Sequence, residues 1–394
     1  MKRVMITIII FSLFLCGCGN SSKSKEIGNA DKSRFGVWIT YSEINEMLNS
    51  ESGFEEELKK AAESCVSLGV DDVYIHIRSH SDSLYESKYF PKSEAAKRYD
   101  FDILKLMIES FHSMGLRVHA WINPYRVATA TEDINSLDEK SPAYIWRNDD
   151  NPDNDVNVCI YNGIYLNPGG DEVRRLVLDG VREVLENYDV DGIHFDDYFY
   201  PTTDESFDKS SFEAYQKSAE NPLSLEDWRR ANVNTLISSC YSAIKYINND
   251  IEFSVSPAAD IQNNYNELYA DVKEWCDKGY IDTVIPQIYF GFEYPVEKYS
   301  FNNLLKEWKK LLRNTKVNLI IGLASYKADT DSEADKEEWQ SNYDIISRQA
   351  QICHRDDTVS GFCCFSYSHL FSEASPFLEQ RENLKTFLKE RNRT

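Results

Sequence analysis

Two adjacent carboxylic acids, Asp196 and Asp197, are the residues of this 394-residue chain whose types and placement best fit acid/base chemistry. They follow the run 192–195, which has the composition of a buried β-strand. A carboxyl group whose pKa is raised can donate a proton, and a second carboxylate can accept one or stabilise positive charge. Because neighbouring strand residues point to opposite faces, alternation places Asp196 in a pocket. The same alternation points Asp197 away from the pocket, where it would orient a neighbouring residue, unless the backbone geometry at the end of the strand directs Asp197 into the pocket as well.

Hydrolysis of a glycosidic bond needs a second carboxylate, or a group of the substrate, across the bond from the acid. Glu293 is the strongest candidate in the sequence, because the rings of Phe292 and Tyr294 beside it would shield it from water. Acidic residues that follow other strands remain open as alternatives, and they are Glu43, Asp82 and Asp260. We therefore expect Asp196, Asp197 and Glu293 to be the catalytic carboxylates.

Strand-like and helix-like segments alternate eight times along the chain, and this pattern must position these acids. The strand candidates are residues 35–41, 72–78, 116–122, 192–197, 251–256, 283–289, 317–324 and 361–366. Eight alternations without a break in composition predict a (β/α)8 TIM barrel rather than an open sheet. Two connections, 123–170 and 201–224, are too long for plain turns and follow the third and fourth strands. They identify the C-terminal face of the barrel as the face that carries the site.

Alternation within the strands predicts which side chains point into the barrel. Helices cover the outside, so the apolar positions face outward and the polar or aromatic positions between them face inward. The residues assigned to the interior in this way, and expected to bind substrate, are Arg78, His119, Trp121, Asn123, His194, Tyr198, Gln287 and Tyr289. Arg78 has two interpretations, since it could hold a carboxylate of the substrate or form an ion pair with Asp196.

Composition excludes several classes of partner. The 65 acidic and 43 basic side chains give a formal net charge of −22, which argues against a nucleic-acid partner and against adsorption of the folded body to anionic lipid. Glycine-rich nucleotide-binding motifs and metal-binding spacings of His and Cys are absent from the sequence, so we expect no cofactor and no metal.

The N-terminus indicates export. Lys2 and Arg3 precede the apolar run 4–15, which is too short to span a bilayer but typical of a signal peptide. The run closes on Leu-Cys-Gly-Cys, a bacterial lipobox in which Cys18 is the better candidate for acylation and Cys16 the poorer one. We expect residues 1–18 to be a lipoprotein signal peptide, 19–33 a flexible tether and 34–394 the catalytic domain. The protein is then lipid-anchored to a membrane through Cys18 only, facing the periplasm or the cell exterior. An ordinary cleaved secretory signal is the alternative.

Six sequence blocks resemble those of the bacterial glycosyl-hydrolase-like ten family, and they occur in the same order. They are FGVWIT at 35–40, SLYESKYFP at 83–91, AWINPYR at 120–126, YLNPG at 165–169, DGIHFDDYFYP at 191–201 and PQIY at 286–289. The resemblance implies an exported (β/α)8 hydrolase of glycans, and for some members the implied substrate is the glycan strand of peptidoglycan.

The block around Asp196 also resembles chitinase-like barrels, in which a second acid follows an aspartate with one residue between. Counted from Asp196, that position holds Tyr198 in this chain, so the mechanism of those enzymes is not carried over directly. The sequence therefore leaves two hypotheses: a surface glycoside hydrolase acting on a polysaccharide, or a carbohydrate-binding lipoprotein that keeps the barrel without the chemistry.

Overall fold

Eight parallel strands close into a barrel in the computed structural model, which describes residues 33–391. The barrel strands are β1 (Arg34–Ile39), β2 (Asp72–Arg78), β3 (Arg117–Ile122), β7 (Gly192–Phe195), β8 (Glu252–Val255), β9 (Thr283–Val284), β10 (Asn318–Ala324) and β11 (Gly361–Phe365), and three short strands are β4 (Arg126–Ala128), β5 (Val158–Ile160) and β6 (Ile164–Leu166). The barrel order β1-β11-β10-β9-β8-β7-β3-β2 makes strands that follow one another in the chain neighbours in space. The predicted (β/α)8 barrel is confirmed.

Helices follow the strands and cover the barrel. They are α1 (Tyr41–Leu48), α2 (Phe54–Leu68), α3 (Ile103–Ser113), α4 (Pro142–Asn148), α5 (Asp171–Asn187), α6 (Lys209–Ser218), α7 (Leu225–Ile247), α8 (Ile261–Asn266), α9 (Val272–Lys278), α10 (Phe301–Leu311), α11 (Lys336–Ser341), α12 (Ile345–Arg355), α13 (Tyr367–Leu370) and α14 (Ser375–Arg391). Local signals set several ends: the Asp102 carboxylate accepts from the Lys105 N–H at the start of α3, and Gly69 ends α2 with a φ of 84°. Over residues 33–391, no helix is both long and apolar enough to cross a membrane.

The periodicity of apolar residues in the sequence predicts single helices at 267–278 and 336–353. In the structure the first is shorter and the second is divided. The predicted helix 267–278 begins only at Val272, because Tyr269 has a φ of 52° and the Asp271 side chain caps the new N-terminus. The predicted helix 336–353 is interrupted at Asn342, whose backbone is extended and whose carbonyl accepts a hydrogen bond from Gln380. Tertiary contacts of this kind override a helical pattern.

The two long connections enlarge the C-terminal face, as expected. The first connection, 123–170, contains α4 and a small antiparallel sheet in the order β4-β6-β5. The second, 201–224, contains α6. The predicted segment 1–18, its Cys18 and residues 19–32 of the tether lie outside the described residues.

An ionic network lies at the N-terminal ends of four barrel strands. The buried Asp72 carboxylate accepts hydrogen bonds from Arg34 at 3.0 and 3.1 Å, from Arg117 at 2.8 Å and from His119 at 2.8 Å. Arg34 also donates to Glu252 at 2.8 Å. Burial opposes ionisation of Asp72, yet the hydrogen bond from His119 and the charge of Arg34 hold its pKa well below its usual range. The network joins β1, β2, β3 and β8 opposite the end that carries the long connections.

Candidate active site

A cavity of about 180 Å³ opens at the C-terminal ends of the barrel strands. Its lining is aromatic and polar, and consists of Trp38, Thr40, Tyr41, His76, Trp121, Arg126, Asp196, Tyr198, Ser256, Gln287, Tyr289 and Phe365. Of the two long connections, only the first contributes to this lining, through Arg126.

Asp196 is the carboxyl group of this cavity. It directly follows β7 and is buried, and its Oδ1 accepts the Asp197 backbone N–H at 2.9 Å and the Gln287 Nε2 at 3.3 Å. The same Gln287 nitrogen donates to the Ser256 carbonyl at 2.9 Å, which fixes the orientation of the amide. Burial raises the pKa of Asp196, whereas its hydrogen bonds with Asp197 and the charge of Arg126 oppose the rise. Asp196 and Gln287 thus meet as the strand alternation predicts.

Asp197 joins the same site. Because β7 ends at Phe195, strict alternation no longer applies, and the carboxyl group of Asp197 lies close enough to the side chains of Asp196 and Gln287 to interact with them electrostatically, although it does not line the cavity itself. Burial raises the pKa of Asp197 well above its usual range, and the adjacent charge of Asp196 raises it further. Two neighbouring carboxyl groups whose pKa values are both raised can share one proton, which would provide an acid and a base in one place.

Aromatic rings form the walls of the cavity. The imidazole of His76 stacks on Trp121 with ring centroids 3.7 Å apart and an interplanar angle of 8°, and Tyr41 approaches His76 edge-on at 5.6 Å. Tyr289 packs against Phe365 at 5.7 Å on the opposite side. Stacked rings of this type present apolar faces to a ligand while their polar edges remain available for hydrogen bonds.

Arg126 and Tyr198 form a cationic edge of the cavity. The guanidinium carbon of Arg126 lies 3.8 Å from the centroid of the Tyr198 ring, and Tyr198 is 52% exposed.

Sequence reasoning missed Arg126 because it lies on β4, outside the barrel strands to which alternation applies. The signal that was available is its place at the end of the block AWINPYR. Trp38 and Thr40 were missed as well, although the alternation of β1 points both inward.

Three predicted residues do not line the cavity although they lie close to the barrel interior. His194 accepts the indole N–H of Trp38 at 3.1 Å and bonds Ser254 at 2.8 Å. His119 is hydrogen-bonded to Asp72 and stacks on Tyr74 at 4.5 Å. Asn123 donates to the Ser79 carbonyl at 3.2 Å. The two histidines point inward as expected, but they lie deeper than the cavity and support it from below.

The inward direction predicted for Arg78 is wrong. The pairing of β2 with β3 shifts register between His76 and Arg78, and this irregularity turns the Arg78 side chain to the outside of the barrel. There Arg78 donates to Tyr85 at 2.8 Å and to the Gly180 carbonyl of α5 at 3.3 Å, and it lies 3.9 Å over the ring of Phe90. Arg78 therefore neither contacts a ligand in the cavity nor pairs with Asp196.

Glu293 is not brought together with Asp196 either. Its backbone N–H is held by the Glu338 carboxylate at 3.0 Å, and its side chain is not among those that line the cavity. Among residues 33–391, no cluster of three His, Cys, Asp or Glu side chains is placed to hold a metal ion. The chemistry that the arrangement offers is proton transfer by the Asp196–Asp197 pair beside the cavity.

Known proteins resemble this chain over most of its length. A family model described as glycosyl hydrolase-like 10 matches residues 34–341. The chain is 32% identical over 370 residues to glycosyl hydrolase YngK of Bacillus subtilis (strain 168), covering 86% of this chain and 69% of that protein. It is 31% identical over 329 residues to glycosyl hydrolase DigH of Escherichia coli (strain K12), covering 77% and 73%.

Solved structures share the barrel. The PgaB (BpsB) glycoside hydrolase domain from Bordetella bronchiseptica superposes with a TM-score of 0.61 at 12% identity, over 90% of this chain and 99% of that one. The catalytic domain of β-amylase from Paenibacillus polymyxa gives a TM-score of 0.59 at 8% identity, over 91% and 99%. At these identities the likeness establishes the fold alone.

Proposed function

Because this chain belongs to the glycosyl hydrolase-like 10 family, and is thus a glycoside hydrolase, we propose that it cleaves the glycan strands of peptidoglycan with the Asp196–Asp197 pair. The observation that carries the catalytic part is the buried Asp196 carboxyl, which lines the cavity at the C-terminal end of the barrel and accepts the Asp197 backbone N–H at 2.9 Å, with a second carboxyl beside it. The raised pKa values of the two carboxyls favour retention of a proton that an isolated aspartic acid would lose. Gln287 holds the Asp196 carboxyl in place.

The proposed reaction uses Asp196 as the group that contacts the substrate. The proton of the pair passes from Asp196 to the glycosidic oxygen, and the bond between that oxygen and the anomeric carbon breaks. The pair, now doubly ionised, stabilises the positive charge that develops on the sugar ring. Water then adds to the anomeric carbon and returns one proton to the pair, so that the enzyme is restored.

Arg126 supports a substrate that carries a carboxylate. Among the described residues, no Asp or Glu forms an ion pair with Arg126, although its guanidinium lines the cavity. The stack on Tyr198 holds its five N–H donors in a fixed plane, a geometry suited to a carboxylate. The lactyl group of muramic acid is such a carboxylate in glycan strands from which the peptide stems have been removed.

The substrate is tested by digestion of purified peptidoglycan glycan strands with the full-length protein, followed by mass analysis of the products and measurement of new reducing ends. A second sample of the strands, with its carboxylates chemically reduced to alcohols, tests the role of Arg126. We expect cleavage of the native strands and a KM about 10-fold higher for the reduced ones, because a hydrogen bond to a charged group contributes about 1.5–3 kcal/mol.

Arg126→Gln should raise KM for native strands and remove the difference between the two samples. Arg175→Gln, which changes an exposed arginine of α5, is the matched control and should behave as the wild type. Cleavage of uncharged glycans without cleavage of peptidoglycan would overturn the proposed substrate. Equal KM values for native and reduced strands would overturn the role of Arg126.

The place of the protein in the cell is also a proposal. Export and acylation of Cys18 are supported by Lys2, Arg3 and the apolar run 4–15 that precede the lipobox. An anchor at Cys18 followed by a tether would keep the barrel close to a membrane on the outer side, where cell-wall glycan lies.

A further inference from the structure

His76 is a buried imidazole that lines the same cavity and is not used by the mechanism above. It lies in β2 and is 3% exposed, with one ring face against Trp121 at a centroid distance of 3.7 Å. Tyr41 lies edge-on to it at 5.6 Å. Since the rings hold its plane, the nitrogen atoms at its edge have fixed directions.

Neither ring nitrogen of His76 has a hydrogen-bond partner among the described residues. The other two histidines of the barrel interior differ in this respect, because His119 is bonded to Asp72 and His194 to Trp38 and Ser254. A buried polar group without a partner costs about 1–3 kcal/mol. The ring of His76 lines the cavity, where a ligand that reaches its edge can supply the partner.

The surroundings of His76 keep it uncharged. Burial lowers its pKa well below the usual value, and the charge of Arg126 lowers it further, together with His80 and His194. A neutral imidazole has one N–H donor and one acceptor nitrogen. A sugar hydroxyl is a donor and an acceptor at once, and it therefore complements either nitrogen, whereas a carboxylate satisfies only the donor.

We propose that His76 is a substrate-binding residue that forms a hydrogen bond with a ring hydroxyl of the sugar seated over Trp121. This assignment rests on the proposed function, because it uses the cavity that contains Asp196. Arg126 then recognises the charged group of the substrate and His76 an uncharged one.

Three substitutions test the contact. His76→Phe keeps a ring for stacking on Trp121 and removes both nitrogens, whereas His76→Asn and His76→Gln place an amide near the position of Nδ1 or Nε2. We expect His76→Phe to raise KM for peptidoglycan glycan strands about three- to tenfold, as for loss of a neutral hydrogen bond. One of the two amide variants should restore KM to within about twofold of the wild type, a rescue that a packing role does not predict. His80→Phe, which alters a neighbouring imidazole already bonded to Ser79, is the matched control.

Failure of this inference is distinguishable from failure of the proposed function. Unchanged KM in all three folded variants, or a fall confined to kcat, would overturn the contact with a hydroxyl while leaving the glycosidase intact. If the wild type does not cleave the strands, tryptophan fluorescence is used to titrate N-acetylglucosamine, glucose and glucuronic acid. Weaker binding of one of these sugars by His76→Phe would support the contact, and equal or undetectable binding by wild type and variant would overturn it.

Discussion

At the scale of single residues, the point at which β7 ends determines which carboxyl groups come close together. Alternation along β7 separates consecutive side chains, but the strand stops at Phe195, and the carboxyls of Asp196 and Asp197 then meet. Two carboxylates this close to each other repel, and a proton shared between them relieves the repulsion. An unfavourable arrangement of this kind is typical of functional sites, where it is retained for its chemistry.

Asp197→Asn is expected to stabilise the protein at neutral pH. The folded pKa of Asp197 is raised, so the stability linked to its proton is present below the unfolded pKa of about 3.9 and is lost as pH rises through the folded value. An asparagine amide donates to Asp196 without any charge. We expect the midpoint of thermal unfolding to rise by about 2 °C or more at pH 7, and the gain to shrink toward pH 4.

The control for this change is Asp189→Asn, which removes an exposed acid near the start of the same strand. It should leave the midpoint within about 1 °C at both pH values. A lower midpoint for Asp197→Asn than for the wild type at pH 7 would contradict the shared proton.

Alternation predicted the site residues only where a regular strand holds them. It placed Trp121, Gln287 and Tyr289 around Asp196, and all three line the cavity. It failed for Arg78 because a register shift in the backbone leaves no mark in the pattern of residue types. It missed Arg126, whose position depends on the small sheet that β4 forms with β6.

At the scale of elements, α5 packs unusually close to the barrel at Gly180. Arg78 lies between this helix and the ring of Phe90, and a Cβ atom at Gly180 would lie 2.7 Å from Phe90 and 2.8 Å from both Nη atoms of Arg78. The glycine thus accommodates a buried guanidinium on the outside of the barrel. Fold-level reasoning predicts a helix here but not why it contains glycine.

Gly180→Ala is expected to destabilise the protein, although alanine is the better helix former by about 1 kcal/mol. Crowding against the fixed Arg78 and Phe90 should outweigh that gain and give a net loss of about 1–2 kcal/mol, measured by urea unfolding. In an Arg78→Met background the same substitution should cost less, because a thioether can move aside. Equal or greater stability of Gly180→Ala in the wild-type background would contradict the close packing.

The elements were largely predictable because each strand is an apolar run that lies between turns and an amphipathic helix. All eight barrel strands occur where the sequence places them, and β2 has the predicted bounds 72–78. The helices were less predictable where long-range contacts interrupt them, as at Asn342, whose partner Gln380 lies 38 residues along the chain. Such contacts are invisible to any local pattern.

At the scale of the whole molecule, the net negative charge bears on how the protein could attach to a membrane. A net charge of −22 disfavours adsorption of the folded body to anionic lipid, so attachment to a membrane requires a covalent anchor. The composition is consistent with the proposed lipobox in this respect, and neither depends on the barrel.

Cys18→Ser is expected to move the protein from the membrane fraction to the soluble fraction of the cells that express it. Cys16→Ser, two residues earlier, is the matched control and should leave the protein in the membrane fraction with its acyl groups detectable by mass. A wild-type protein that is already soluble would contradict the anchor and support an ordinary cleaved signal. Retention of Cys18→Ser together with loss of Cys16→Ser would identify the other cysteine as the acylated one.

The rate at which full-length protein releases reducing ends from purified peptidoglycan glycan strands, compared between wild type and Asp196→Asn, tests the central claim most directly. Circular dichroism and the unfolding midpoint establish that the variant is folded. We predict a loss of at least about 100-fold, since general acid/base groups contribute about 10²–10⁴ to a rate. Activity within about threefold of the wild type in a folded Asp196→Asn protein would contradict the account.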